Sequence, residues 1–125
     1  MSTNILKALV GYFRLIARMV SWLGALAIVV LSVVPAQDRP VTGSGPHFEH
    51  FAIFSFVAAA FAVGYQLSFI RLAFFAFLFC AGVELLQLPL PTRHARVSDF
   101  VIDFAASFLA ICVVLAAQKI FKRMR

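Results

Sequence analysis

Charge is scarce in this chain. Only 13% of its 125 residues are Asp, Glu, Lys or Arg, and 63% are hydrophobic. A soluble globule of this size cannot hide so large an apolar fraction, because a small domain leaves much of its surface in water. Lipid is itself an apolar solvent. The composition therefore excludes a soluble domain and predicts an all-α integral membrane protein.

Cysteine is also rare. The chain has two, Cys80 and Cys112, each inside an apolar run and without a CxxC partner or a metal-ligand spacing. Such cysteines are typical of small buried hydrophobic residues, and a structural disulfide is not expected. Neither residue points to a metal or a cofactor, and none is predicted.

Apolar runs, in contrast, are long. A membrane-spanning helix needs about 20 mostly apolar residues, and proline and glycine divide this chain into four such runs. The sequence predicts four transmembrane helices, at about Met19–Val34, Phe48–Tyr65, Phe69–Leu88 and Asp99–Gln118.

A basic segment precedes the first run. Its polar residues recur at helical spacing on one face, which is typical of an interfacial amphipathic helix whose arginines reach lipid headgroups. These residues are Asn4, Lys7, Gly11, Arg14 and Arg18. The run after them is expected to be an uncleaved anchor, because the segment is long for the start of a signal peptide. The predicted parts are a basic amphipathic segment (1–18), a four-helix transmembrane domain (19–118) and a basic cytoplasmic tail (119–125).

The net charge of +6 does not indicate a nucleic-acid partner, because basic residues that flank apolar runs set membrane topology and contact anionic lipid. With four spans, eight of the eleven Lys and Arg residues fall on the side of the termini. Only Arg39, Arg93 and Arg96 fall on the other side. The sequence therefore predicts a multi-pass protein of the plasma (inner) membrane with both termini cytoplasmic. All five acidic residues are then at the extracytoplasmic ends of the helices.

Helix three carries a polar end. Glu84 and Gln87 are three residues apart and share a face, about five residues before Pro89. An ionised carboxylate at that depth costs several kcal/mol unless it is paired. We expect the short break at Pro89 and Pro91 to make helices three and four antiparallel neighbours, with Glu84 or Gln87 within reach of Asp99, Arg93 or Arg96.

Helix four is predicted to begin with Ser98 as its N-cap and Asp99 in its first turn. Asp103 is four residues further on, so both carboxylates lie on one face, and they need a cation between them if both ionise. Arg93 and Arg96 are candidate cations. His50, at the start of helix two, is a further candidate whose direction the pattern leaves open.

In their order and spacing these residues resemble the VanZ-like family. The shared pattern is a His-Phe pair with an aromatic residue nearby, an E-x-x-Q helix end, an Arg, and an Asp at the next helix start. The matching residues are His50, Phe51, Phe54, Glu84, Gln87, Arg93 and Asp99. The likeness covers about residues 46–110. It departs at Asp103, Ser107 and Phe54, where the family often has Asn, Gly and Tyr.

The resemblance implies an association with low-level resistance to the glycopeptide teicoplanin, through a mechanism that is not settled in the family. The candidate site residues are His50, Glu84, Gln87, Arg93, Arg96, Asp99 and Asp103. They are predicted to bind an envelope lipid or saccharide headgroup, or a lipid-linked or glycopeptide ligand; Arg suits phosphate and carboxylate groups.

Several alternatives stay open. The cluster could be a structural clasp between helices, in a homo-oligomer or a larger membrane complex. It could also be an enzyme site for a lipid-linked substrate with His50 as base, a metal site, or part of a transporter.

The topology can be tested with reporter fusions after Arg125 and within the Gly43–Gly45 loop. We expect a cytoplasmic signal from the first and an extracytoplasmic signal from the second. An extracytoplasmic signal from the C-terminal fusion would contradict the prediction and would move the polar cluster to the cytoplasmic face.

Overall fold

The computed structural model describes residues 2–40, 42–91 and 96–124. It contains four α-helices and one short 3₁₀ turn, and its described residues form no strand. All four helices are long and apolar enough to span a membrane, which confirms the predicted all-α four-helix class. The helices are α1 (Ser2–Val33), α2 (Pro46–Gly64), α3 (Phe69–Gln87) and α4 (Val97–Arg123), and the turn is Ala36–Asp38.

The helix ends follow local chemistry. Pro46 begins α2, where the missing N–H of proline is harmless, and the preceding Gly45 has a φ of 87° that favours glycine. The expectation that Ser98 caps α4 is wrong. The backbone N–H groups of Asp99 and Phe100 donate to the Arg96 carbonyl, so α4 already begins at Val97 and Ser98 lies in its first turn.

The four helices form a ring in the order α1, α2, α4, α3. The contact of α2 with α4 is the most extensive, α1 packs mainly on α2, and in the described residues α1 and α4 lie diagonally opposite without packing. Side chains join α2 to α4 along this contact. Ser55 Oγ donates to the Ala106 carbonyl, and Gln118 Nε2 donates to the Ala62 carbonyl. The predicted antiparallel pairing of α3 and α4 is also present.

The core between the helices is small. Its buried members are mostly Ala, Val and Ile together with Phe54 and Cys80, and most phenylalanines face outward, as lipid-facing residues do. Cys80 is fully buried and Cys112 is half-buried, and both are free thiols, as expected for residues that pack as small hydrophobes.

Helix α1 is longer than a bilayer needs. Its 32 residues extend about 48 Å at 1.5 Å per residue, and no break separates residues 2–18 from the span. The end of α2 at Gly64 lies against Ala17 and Arg18, so the part of α1 before Ala17 continues beyond α2. The boundary expected at residue 118 likewise falls inside a continuous α4.

Arg18 has a protein partner at this end of the bundle. Its Nε donates to the Gly64 carbonyl at 2.8 Å, which satisfies one of the acceptors that a helix leaves unpaired at its C-terminus. Its guanidinium lies 4.8 Å from the centroid of the Tyr65 ring, and the Tyr65 hydroxyl accepts a hydrogen bond from Trp22. Arg18, which the sequence pattern predicts to reach lipid headgroups, instead joins α1 to α2 in the structure.

This close approach requires glycine at residue 64. A Cβ there would lie 2.9 Å from Arg18 Cγ and 3.0 Å from the Arg18 backbone nitrogen. We expect Gly64→Ala to lower the free energy of unfolding by about 1–3 kcal/mol, because backbone atoms cannot move aside cheaply. Thermal unfolding in detergent measures the change.

Gly82→Ala is the matched control, because a Cβ at Gly82 would meet nothing within 4 Å. It should be neutral or stabilising by up to about 1 kcal/mol, since alanine favours a helix more than glycine does. Equal effects of the two substitutions would contradict the proposed contact.

Candidate functional site

The acidic residues gather at one end of the bundle, where α1 and α3 end and α2 and α4 begin; we call it the polar end. Four of them lie in the first or last two turns of a helix, and the fifth lies in the 3₁₀ turn. These residues are Asp38, Glu49, Glu84, Asp99 and Asp103. The grouping expected from the sequence is therefore present.

His50 and Asp103 form the more buried of two histidine–carboxylate contacts at this end. His50 Nδ1 lies 3.0 Å from Asp103 Oδ1, and the Asp103 side chain is 0% exposed while that of His50 is 18% exposed. The contact forms because α2 and α4 pack closely, so the inward face of α4 meets the first turns of α2. Pairing with a carboxylate places a proton on Nδ1 and leaves Nε2 as the nitrogen available to other groups.

A second, weaker pair repeats the arrangement closer to the helix ends. His47 Nδ1 lies 3.9 Å from Asp99 Oδ1, with side chains 63% and 23% exposed. His47 and His50 are three residues apart on α2, and Asp99 and Asp103 are four apart on α4, so both helices present these groups on one face. Of the candidate cations named from the sequence, His50 is the one that faces a carboxylate here, and in the described residues Asp99 and Asp103 each face a histidine.

Glu84 connects α3 to the start of α4. Its Oε2 accepts a hydrogen bond of 3.2 Å from the backbone N–H of Arg96. The expected proximity of Glu84 and Arg96 is thus confirmed, through the main chain and not through the guanidinium. Among the described residues, Glu84 Oε1 and Asp103 Oδ2 have no hydrogen-bond partner. Arg93 and His94 lie outside the described residues.

A cavity of about 600 Å³ opens beside this cluster, between α1, α2, α3 and the loop that follows α1; we call it the outer cavity. Of the predicted site residues, His50 and Gln87 line it. Glu84, Arg96, Asp99 and Asp103 do not, so the cluster divides into two groups. One group lines the cavity, and the other lies behind it at the contact of α4 with α2 and α3.

The loop before α2 forms one wall of the outer cavity. Arg39, Pro40, Thr42 and Ser44 line it, and Thr42 donates to Glu49 Oε1 through both its backbone N–H, at 3.1 Å, and its hydroxyl. These bonds hold the loop against the first turn of α2. Glycines 43 and 45 have φ values of 78° and 87°, a left-handed region that other residues occupy only at a cost.

Arg39 is a residue of this region that the sequence pattern does not single out. In the sequence it contributes only to the topology count, because a loop pattern does not show which way an arginine points. In the structure Arg39 lines the cavity close to Glu49 and His50, and within the described ranges it has no hydrogen-bond or ion-pair partner. A second, apolar cavity of about 290 Å³, the inner cavity, extends along α2 from Phe54 to Tyr65 at its opposite end.

The described part of the chain contains no group of three or more His, Cys, Asp or Glu residues placed to hold a metal ion. Comparison of the chain with protein-family models, with curated proteins and with solved structures found no match. The likeness to the VanZ-like family therefore rests on the motifs quoted above.

The pairing of His50 with Asp103 can be measured by a double-mutant cycle with His50→Ala, Asp103→Ala and the double variant. We expect a coupling energy of about 1–3 kcal/mol, because removing one partner leaves the other buried and unpaired. Unfolding in mixed detergents measures each stability.

The same cycle on His47 and Asp99 is the control. That pair is longer and exposed, so its coupling should be about 0–1 kcal/mol. If the two pairs have equal coupling energies, or if His50 and Asp103 have none, burial does not strengthen the His50–Asp103 contact.

Proposed function

We propose that the chain is a VanZ-like protein of the plasma (inner) membrane that binds the anionic headgroup of an envelope lipid in the outer cavity. An antibiotic-like amphiphile with the same headgroup chemistry would use the same groups. Binding at this site contributes to envelope or antibiotic tolerance. The observation that carries the proposal is the mixed lining of the outer cavity.

The lining changes character with depth. Near the loop it consists of polar groups, including Arg39, Thr42, Ser44 and Glu49. Farther in, side chains such as Ile28, Ile53, Phe54 and Val83 replace them. A cavity that is polar at one end and apolar at the other suits an amphiphile, whose head and chain need opposite surroundings.

Arg39 is the group of this lining that suits an anionic head. It makes no hydrogen bond or ion pair with the described residues, and the nearby carboxylate of Glu49 accepts two hydrogen bonds from Thr42. His50 presents its second ring nitrogen beside it, and Asp103 holds the imidazole in place. Guanidinium binds phosphate and carboxylate in bidentate fashion, so Arg39 is the residue that selects the charge of the ligand.

The proposed topology fits this role. The excess of basic residues at the chain termini favours an extracytoplasmic polar end. Envelope precursors and glycopeptides act on that side of the membrane. A site at the outer end of the helices therefore meets its ligand without transport across the bilayer.

A structural clasp is the second candidate, and one observation favours it. Asp103 is fully buried, does not line the outer cavity, and pairs across the α2–α4 seam. The two roles can be separated, because the clasp residues lie behind the cavity and Arg39 lies in its wall. A clasp acts through protein stability, whereas a ligand-binding residue acts at normal abundance.

Arg39→Ala tests the proposed function. We expect its affinity for phosphatidylglycerol to fall about tenfold or more, since a charge-assisted contact is lost. The free energy of unfolding should change by less than about 0.5 kcal/mol, because the side chain has no protein partner. Native mass spectrometry of the protein with phosphatidylglycerol and phosphatidylcholine measures binding.

Arg14→Ala, on α1 away from the polar end, is the control and should bind phosphatidylglycerol like the unmodified protein.

In cells, Arg39→Ala should reduce glycopeptide tolerance at unchanged membrane abundance. Tolerance and abundance are measured in the same way for Arg93→Ala and Asp99→Asn. Loss of tolerance only in proportion to abundance favours the clasp. Unchanged lipid binding in Arg39→Ala would refute the proposed site.

A further inference from the structure

The inner cavity lies farther along α2 than the outer one, from Phe54 to Tyr65. Its lining comes from all four helices and is almost wholly apolar, with Val57, Leu72, Phe79 and Ile111 among its residues. Two hydroxyl groups belong to it: Ser107 Oγ donates to the Asp103 carbonyl, and the Tyr65 hydroxyl accepts from Trp22. This lining suits an apolar ligand.

Phe54 lines both cavities and is the residue that their linings share. It is 3% exposed, its ring stacks on His50 with centroids 6.2 Å apart, and its centroid lies 6.1 Å from that of Phe79. The two cavities therefore meet the same aromatic side chain. An unbranched aromatic side chain of this kind can change rotamer without moving its helix.

We infer that the two cavities are one binding site for a long-chain anionic lipid. The headgroup occupies the outer cavity, and one hydrocarbon chain passes Phe54 into the inner cavity. The inference rests on the proposed function, because it places the chain of the same ligand whose head contacts Arg39. It adds the ligand class: an amphiphile with a chain long enough to pass Phe54, rather than a free headgroup or a soluble saccharide.

Size and chemistry agree with this occupant. Apolar cavities of about 150 Å³ already accept a benzene-sized molecule and exclude water. The inner cavity, at about 290 Å³, has room for a longer hydrocarbon segment. It lies among membrane-spanning helices at the depth where the chains of neighbouring lipids are found, so the chain leaves one apolar environment for another.

Trp22 is the single tryptophan of the chain and lines the inner cavity, but it is 61% exposed, so the contrast between two lipids reports the cavity. In detergent, phosphatidylglycerol with brominated acyl chains should quench its fluorescence saturably at low lipid-to-protein ratios. Phosphatidylcholine with the same brominated chains should quench it weakly. Arg39→Ala should remove the difference between the two lipids.

A substitution that fills the inner cavity tests the position of the chain. Ala76 lines this cavity, and Ala76→Phe should weaken the binding of long-chain phosphatidylglycerol about tenfold or more, because chain methylenes lose their apolar site. Dihexanoyl phosphatidylglycerol, whose chains are short, should bind as before. Ala105→Phe is the control, since Ala105 is exposed and lines neither cavity. If Ala76→Phe does not fold, Ala76→Leu replaces it.

The headgroup site and the position of the hydrocarbon chain are tested by different variants. If Ala76→Phe and Ala105→Phe bind long-chain phosphatidylglycerol equally well while Arg39→Ala still weakens binding, the chain lies elsewhere and only the inference fails. The inference alone also fails if both brominated lipids quench Trp22 equally while Arg39→Ala still weakens phosphatidylglycerol binding in mass spectrometry. If Arg39→Ala changes nothing in either measurement, the proposed function fails and the inference fails with it.

Discussion

The contact between His50 and Asp103 is the constraint on which the polar end of the bundle depends. A carboxylate without any solvent exposure, inside a span, costs several kcal/mol unless a partner compensates it. The partner comes from another helix, so α4 can occupy only the position and rotation that bring Asp103 to the first turn of α2. The Ser55 and Gln118 contacts then follow along the same seam.

The same contact orients the His50 ring, which forms part of the wall of the outer cavity. With Nδ1 held by Asp103, the ring cannot rotate freely, and the stacked Phe54 is held beneath it. A buried contact and part of the cavity wall thus share one side chain. The structural clasp and the proposed binding site are therefore compatible, because they would use different edges of the same imidazole.

Much of this architecture could be predicted from the sequence. Apolar runs divided by proline and glycine predict four helices, and the short break at Pro89 predicts the α3–α4 pairing. The partners of the polar residues could not be predicted in the same way. Helical spacing shows that Asp99 and Asp103 share a face, but not that His47 and His50 lie opposite, since this depends on how α2 and α4 rotate about their axes. Arg39 was missed because its direction is set by a loop held by Thr42 and Glu49.

The ring order has a consequence for how the chain is assembled during synthesis. The second and third helices barely contact each other, and the last helix packs between them. Until it arrives, Glu84 lacks the backbone N–H of Arg96, and His50 lacks its carboxylate. The fourth helix therefore supplies the partners that both side chains need, and the first three helices alone would leave Glu84 and His50 without them.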